Sequence, residues 1–77
     1  MNLYLLNRKD DCGYEEFDAL VVAAESETDA VTIRPVNRDT TEAGSGWTTP
    51  ENIAVKLIGV AAPGIERGVI LESYIYG

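Results

Sequence analysis

Four short apolar runs set the limits on what this chain can become. They are NLYLL (starting at Asn2), FDALVVAA (at Phe17), IAVKLIGVA (at Ile53) and GVILESYIY (at Gly68). Each is short for a helix; the last three carry β-branched or aromatic residues that favour the pleated state, and the first is a short apolar run bounded by polar residues, so each predicts a strand. In the first run Leu3 and Leu5 share one face, and Tyr4 and Leu6 the other. The last run alternates too. Val69, Leu71, Ser73 and Ile75 fall on one side, and Ile70, Glu72, Tyr74 and Tyr76 on a side expected to meet solvent.

The segments between the runs are of three kinds. KDDCGYEE is long for a tight turn and suits a wide antiparallel hairpin connection. ESETDAVTIRP carries the one helix signal. Ser26 is an N-cap residue with Asp29 three positions on, Glu27 and Asp29 suit the positive end of the helix dipole, and Pro35 stops the helix near Ile33 or Arg34. The β-branched Val31, Thr32 and Ile33 compete for an extended state. VNRDTTEAGSGWTTPEN reads as a loop, unusually long for a small domain. APGIERG is a turn marked by Pro63 and Gly64.

The expected architecture is α+β: an antiparallel four-stranded sheet with one short helix on one face, in the order β-β-α-β-β, forming a single domain over residues 1–77. One short helix cannot cover four strands. Part of the sheet must stay open, be covered by the loop around Trp47, or pack on another chain.

A 77-residue chain buries only about 60% of its unfolded surface, so its core is thin. One cysteine, Cys12, excludes an internal disulfide and suits a reducing compartment. With neither a transmembrane-length apolar run nor a signal-peptide pattern, a cytoplasmic location is expected, with no membrane partner.

Thirteen acids face six bases, for a net charge of −7. Direct nucleic-acid binding is disfavoured, because it depends on basic residues displacing counterions. A basic partner is favoured by the same Coulomb law. Eight acids lie between Asp10 and Asp29 with no base among them: Asp10, Asp11, Glu15, Glu16, Asp18, Glu25, Glu27 and Asp29. They are the candidate partner-binding residues, together with Trp47, whose indole either folds over the open core or anchors a partner. A solvated acidic surface that keeps the chain soluble is the plain alternative.

Catalysis and cofactors find little support. The chain has no histidine, DDCGYEEFD lacks calcium-loop spacing, and zinc would lack ligands. Cys12 has no base to activate it, and neighbouring acids disfavour its thiolate. AGSGW lacks the G-x-S-x-G frame, and APGIERG lacks the Lys-Ser/Thr end of a phosphate loop. The expectation is a non-enzyme with no cofactor and no metal.

Two stretches, MNLYLLNRKDDCGYEEFDALVVAAESETDA and VKLIGVAAPGIERGVILES, carry a further pattern. An opening strand leads into D-x-x-G-Y-E/D-E-F/Y-D, then a VVAAES strand-to-helix junction, then a GVILES closing strand. Over about two thirds of its length the chain resembles a group of small acidic bacteriophage and prophage proteins; residues 36–50 carry no likeness. The resemblance implies a phage-encoded anti-defence inhibitor, anti-CRISPR-like in size and charge. It would act in the bacterial host cell by binding a basic host protein or CRISPR effector complex through an acidic, DNA-mimic-like face. It carries no ligand or catalytic residue across. The alternatives are a homo-oligomeric assembly protein, with the chain either monomer or homodimer, and a small-molecule sequestering protein.

Overall fold

Alternation places the first two strands. Strand β1 (Asn2–Arg8) pairs antiparallel with β2 (Glu16–Ala24), setting Tyr4 opposite Val22 and Leu6 opposite Leu20. These four side chains are buried on one face. Leu3, Leu5 and Val21 point to the other, because successive strand residues face opposite ways. The structure, a computed structural model, describes residues 1–13, 16–36, 44 and 46–75.

The later strands flank this hairpin. Strand β3 (Ile53–Val60) pairs with β1, and β4 (Gly68–Ile75) with β2, all antiparallel. The spatial order is therefore β3-β1-β2-β4, which is not the order along the chain. Between β3 and β4, residues 61–67 pass the end of the sheet where β1 begins, and Ala61 N–H bonds the Met1 carbonyl at 2.9 Å. The fold is mostly β.

Helix α1 (Glu27–Ala30) is only four residues long. Ser26 caps it as expected: its Oγ accepts from Asp29 N–H at 3.1 Å. It ends at Ala30 and not near Ile33 or Arg34. Thr32 bends the chain back, with its backbone N–H and its hydroxyl both donating to the Asp29 carbonyl, the hydroxyl at 2.6 Å. A hydroxyl that competes for a helix carbonyl, beside β-branched neighbours, explains the early stop. Ser26→Ala is expected to cost about 1 kcal/mol in urea unfolding. A loss below about 0.3 kcal/mol would show that Arg67, described below, holds this turn without the cap.

The core lies between the sheet and the connection that leaves β2. Phe17, Leu6, Leu20, Val22, Ala30, Ile33 and Ile53 are buried there, with Trp47, Val55, Val69 and Tyr74 packed against them. A second short element, the 3₁₀ turn η1 (Pro50–Asn52), leads into β3 with proline in its first turn. Gly44 sits at φ 83°, and a Cβ there would stand 3.1 Å from Arg34 Cδ, so this point of the connection requires glycine.

Strand β4 departs from simple alternation. Its register against β2 shifts between Val21 and Val22, so Val69 joins the core while Leu71 and Ser73 lie on the opposite face. An extra residue at Ile70 reverses the phase of the strand. Tyr74 therefore does not meet solvent as the alternation predicts. It is half-buried, edge-on to Phe17 with ring centroids 4.8 Å apart. Tyr76 lies outside the described residues. No helix is long and apolar enough to cross a membrane among the described residues.

Candidate functional site

The hairpin's turn end gathers charge around Arg8. Its side chain is only 7% exposed. Nε donates to Asp10 Oδ1 at 2.8 Å and Nη2 to Asp10 Oδ2 at 3.1 Å, a two-pronged pair. Nη1 donates to the Phe17 carbonyl at 3.1 Å and lies 3.8 Å from Glu16 Oε1. Asp10 also accepts from the buried Thr48 hydroxyl at 2.8 Å. The hydrogen bonds from Arg8, then from Thr48, hold the Asp10 carboxyl down at about 2. Glu16 Oε1 accepts from Gly13 N–H at 2.6 Å and so closes the turn. The start of β3 meets this end as well: Lys9 N–H bonds the Asn52 carbonyl at 2.6 Å, which brings Glu51 alongside.

The opposite end holds the second acidic group. Asp29 Oδ2 accepts from Glu25 N–H at 3.0 Å, and Arg67 Nε donates to both Asp29 oxygens at 3.0 Å. Arg67 Nη2 reaches Thr32 Oγ1 at 2.9 Å. Arg67, then the Glu25 N–H, lower the Asp29 carboxyl below its usual range. The arginine ties the segment leading into β4 to the helix, so Asp29 is part of the framework. Glu25 and Glu27 are exposed beside it.

The eight acids therefore do not form one stripe. Asp10, Asp11, Glu16 and Asp18 lie at the turn end, and Glu25, Glu27 and Asp29 at the other, separated by the length of β1, about 24 Å at 3.4 Å per residue. Glu15 lies outside the described residues. Asp10, Glu16 and Asp29 are bound to framework partners, whereas Asp11, Glu25 and Glu27 are exposed. Sequence reasoning missed Arg8, Thr48, Glu51 and Arg67. The one signal for Arg8 was its place just before the acid-rich segment, and Arg67, thirty-eight positions beyond Asp29, had none.

Trp47 takes the first of its two expected positions and packs against the core. Phe17 N–H bonds the Gly46 carbonyl at 2.8 Å and draws the indole over the turn end of the sheet. Trp47 Nε1 and Asp18 Oδ1 are buried with no hydrogen-bond partner among the described residues. Burial raises the Cys12 thiol above its usual range, and Arg8 opposes this. No cluster of three potential metal ligands occurs among the described residues.

Two depressions mark the surface. An open groove of about 570 Å³ runs beside β4, lined by Ile33, Arg34, Val36 and Ile70 among others. A smaller hollow of about 140 Å³ lies on the sheet face opposite the core, between Leu5, Ala19, Val21, Leu71 and Ser73. No family model, no curated protein and no solved structure matches the chain.

Proposed function

We propose that this chain is a non-enzymatic, phage-type inhibitor of the anti-CRISPR kind, acting in the cytoplasm of a bacterial host by binding a basic surface of a nucleic-acid-handling complex. The observation that supports this reading is the convergence at the turn end. Asp10 and Asp11 from the hairpin, Glu16 and Asp18 from the start of β2, and Glu51 from η1 share this end with two cations among the described residues, Arg8 and Lys9. The framework bonds of Asp10 and Glu16 fix their carboxylates in place, and a fixed charge loses less entropy on docking than a mobile one. A long continuous mimic of duplex DNA is not the geometry this offers. A compact patch that competes for one basic groove is.

The test uses acids that make no framework ion pair. A panel of purified CRISPR effector complexes is offered to the immobilised chain at low and high salt. Binding at low salt is expected to weaken steeply as salt rises, because a patch contact is screened within a Debye length of about 8–10 Å. Asp11→Asn with Glu51→Gln is expected to cost about tenfold in affinity, from two screened surface charges. Glu25→Gln with Glu27→Gln should leave binding unchanged. Indifference to both salt and the first pair, or no binding across the panel, would sink the reading.

A further inference from the structure

We propose that the face of the sheet opposite the core is a self-association surface, where a second copy of this chain docks face to face and each Leu71 enters the hollow of the other copy. A sheet has two faces, and helix α1 and the segment after it take only one. On the other, pairing sets Leu5 beside Val21 and Val21 beside Leu71, with Leu3 beside Ala23. Leu71 is 66% exposed. Beyond its strand neighbours, the described residues leave most of this leucine uncovered.

The hollow supplies a complement. Its floor is Ala19, the smallest side chain in the middle of β2, and its walls are Leu5, Val21 and Leu71. At about 140 Å³ it is several times the roughly 30 Å³ a water occupies in the liquid, so it has room for the four carbons of a leucine side chain. Knob and hole adjoin on one surface. A two-fold axis between two such surfaces satisfies both holes at once, since in an isologous contact residue i meets j and j meets i.

Charge selects a second copy over a random neighbour. Two chains of net charge −7 repel wherever carboxylates face carboxylates. One acid, Glu72, borders the hollow, but its pairing with the buried Leu20 puts its side chain on the core side of the sheet, and Lys56, paired with Leu5, is the charge beside the hollow on this face. It is the side on which two identical acidic molecules can meet without opposing their acids. The area is also sufficient, though barely. Four strands about 4.8 Å apart and about 25 Å long present roughly 480 Å² of sheet before side-chain relief, so two copies bury on the order of 1,000 Å². That sits at the lower limit for a specific interface and implies a dimer of about micromolar affinity. The inference rests on the sheet face alone and is independent of the acidic patch.

Sedimentation velocity on the full chain, from about 1 μM to about 1 mM, tests it. The mass is expected to rise with concentration from 8.4 kDa towards twice that value. Leu71→Asp is expected to weaken the dimer at least tenfold while the circular dichroism stays native, because the side chain it replaces is exposed. Should that variant unfold, Ser73→Lys, exposed on the same face, is expected to do the same to the dimer. Val60→Asp, on the free edge of β3 and 76% exposed, should leave the dimer intact. A monomer at every concentration overturns the proposal. So does a dimer that survives both face variants, or one that is lost only with Val60→Asp, which would mean edge-to-edge pairing.

Discussion

Phe17→Ala is expected to leave this domain unfolded or close to it at room temperature. Phe17 is fully buried and heads the fully buried side chains by volume. Its ring also meets Tyr74 edge-on, so one truncation empties the place where β2, β4 and the Trp47 segment come together. Truncating a buried phenylalanine costs about 3–5 kcal/mol. At about 0.05–0.15 kcal/mol per residue, a chain of this length has roughly 4–12 kcal/mol in all. Urea unfolding is the direct measure. With a slope of about 1 kcal/mol per molar, the midpoint should fall by about 3 M or vanish. Phe17→Leu, which keeps most of the volume, should lose under about 1.5 kcal/mol. Leu5→Ala, on the open face, should lose less than Phe17→Ala by at least about 2 kcal/mol. Comparable losses at positions 5 and 17 would mean that the face described as open is covered in solution at the concentration used.

That comparison touches what the sequence could and could not carry. The four strands were legible because each is a short apolar run bounded by polar or glycine-rich segments, and the Ser26 cap because its chemistry is local. Spatial order was not. Whether β3 lies beside β1 or β2 is decided by pairings such as Leu6 with Val55, far apart along the chain, and no local preference encodes them. The phase of β4 was lost to one extra residue at Ile70, which leaves no mark on an otherwise regular alternation. Tyr74 was accordingly assigned to solvent when it belongs to Phe17.

The acids show the same division. Their number and sign are properties of composition. Their grouping depends on the hairpin, which carries Asp10, Asp11, Glu16 and Asp18 to one end of the sheet and residues 25–29 to the other. Eight acids in twenty residues look like one cluster along the chain, but the stretch of β2 from Ala19 to Ala24 lies between the two groups. Arg8 holds Asp10 from two positions away, but Thr48, its second partner, and Arg67, the partner of Asp29, are each thirty-eight positions from the acid they hold. A reading along the sequence finds neighbours, and these pairs are not neighbours.

Arg8→Ala is expected to destabilise the fold by about 1–3 kcal/mol near neutral pH and to change how stability responds to acid. The guanidinium is nearly buried, so its loss leaves the Phe17 carbonyl without that donor and removes packing by the side-chain stem. The pH response follows from Asp10. Its carboxyl falls from 3.8 to about 2 on folding. A depressed acid contributes stability that is present above pH 3.8 and is lost as pH drops towards 2. Without Arg8, Thr48 alone holds the carboxyl down, so the variant has less to lose in that window. Asp29 is also depressed, through Arg67, and adds acid sensitivity to both proteins alike. The informative quantity is therefore the difference between native and variant, taken from urea midpoints at neutral pH and at two points across the window. It should narrow as pH falls. Arg8→Lys, which keeps the charge but not the planar fork, should fall between them. A difference that stays constant from neutral pH to pH 2 would mean that Arg8 acts by packing alone and that its ion pair with Asp10 contributes nothing to folding.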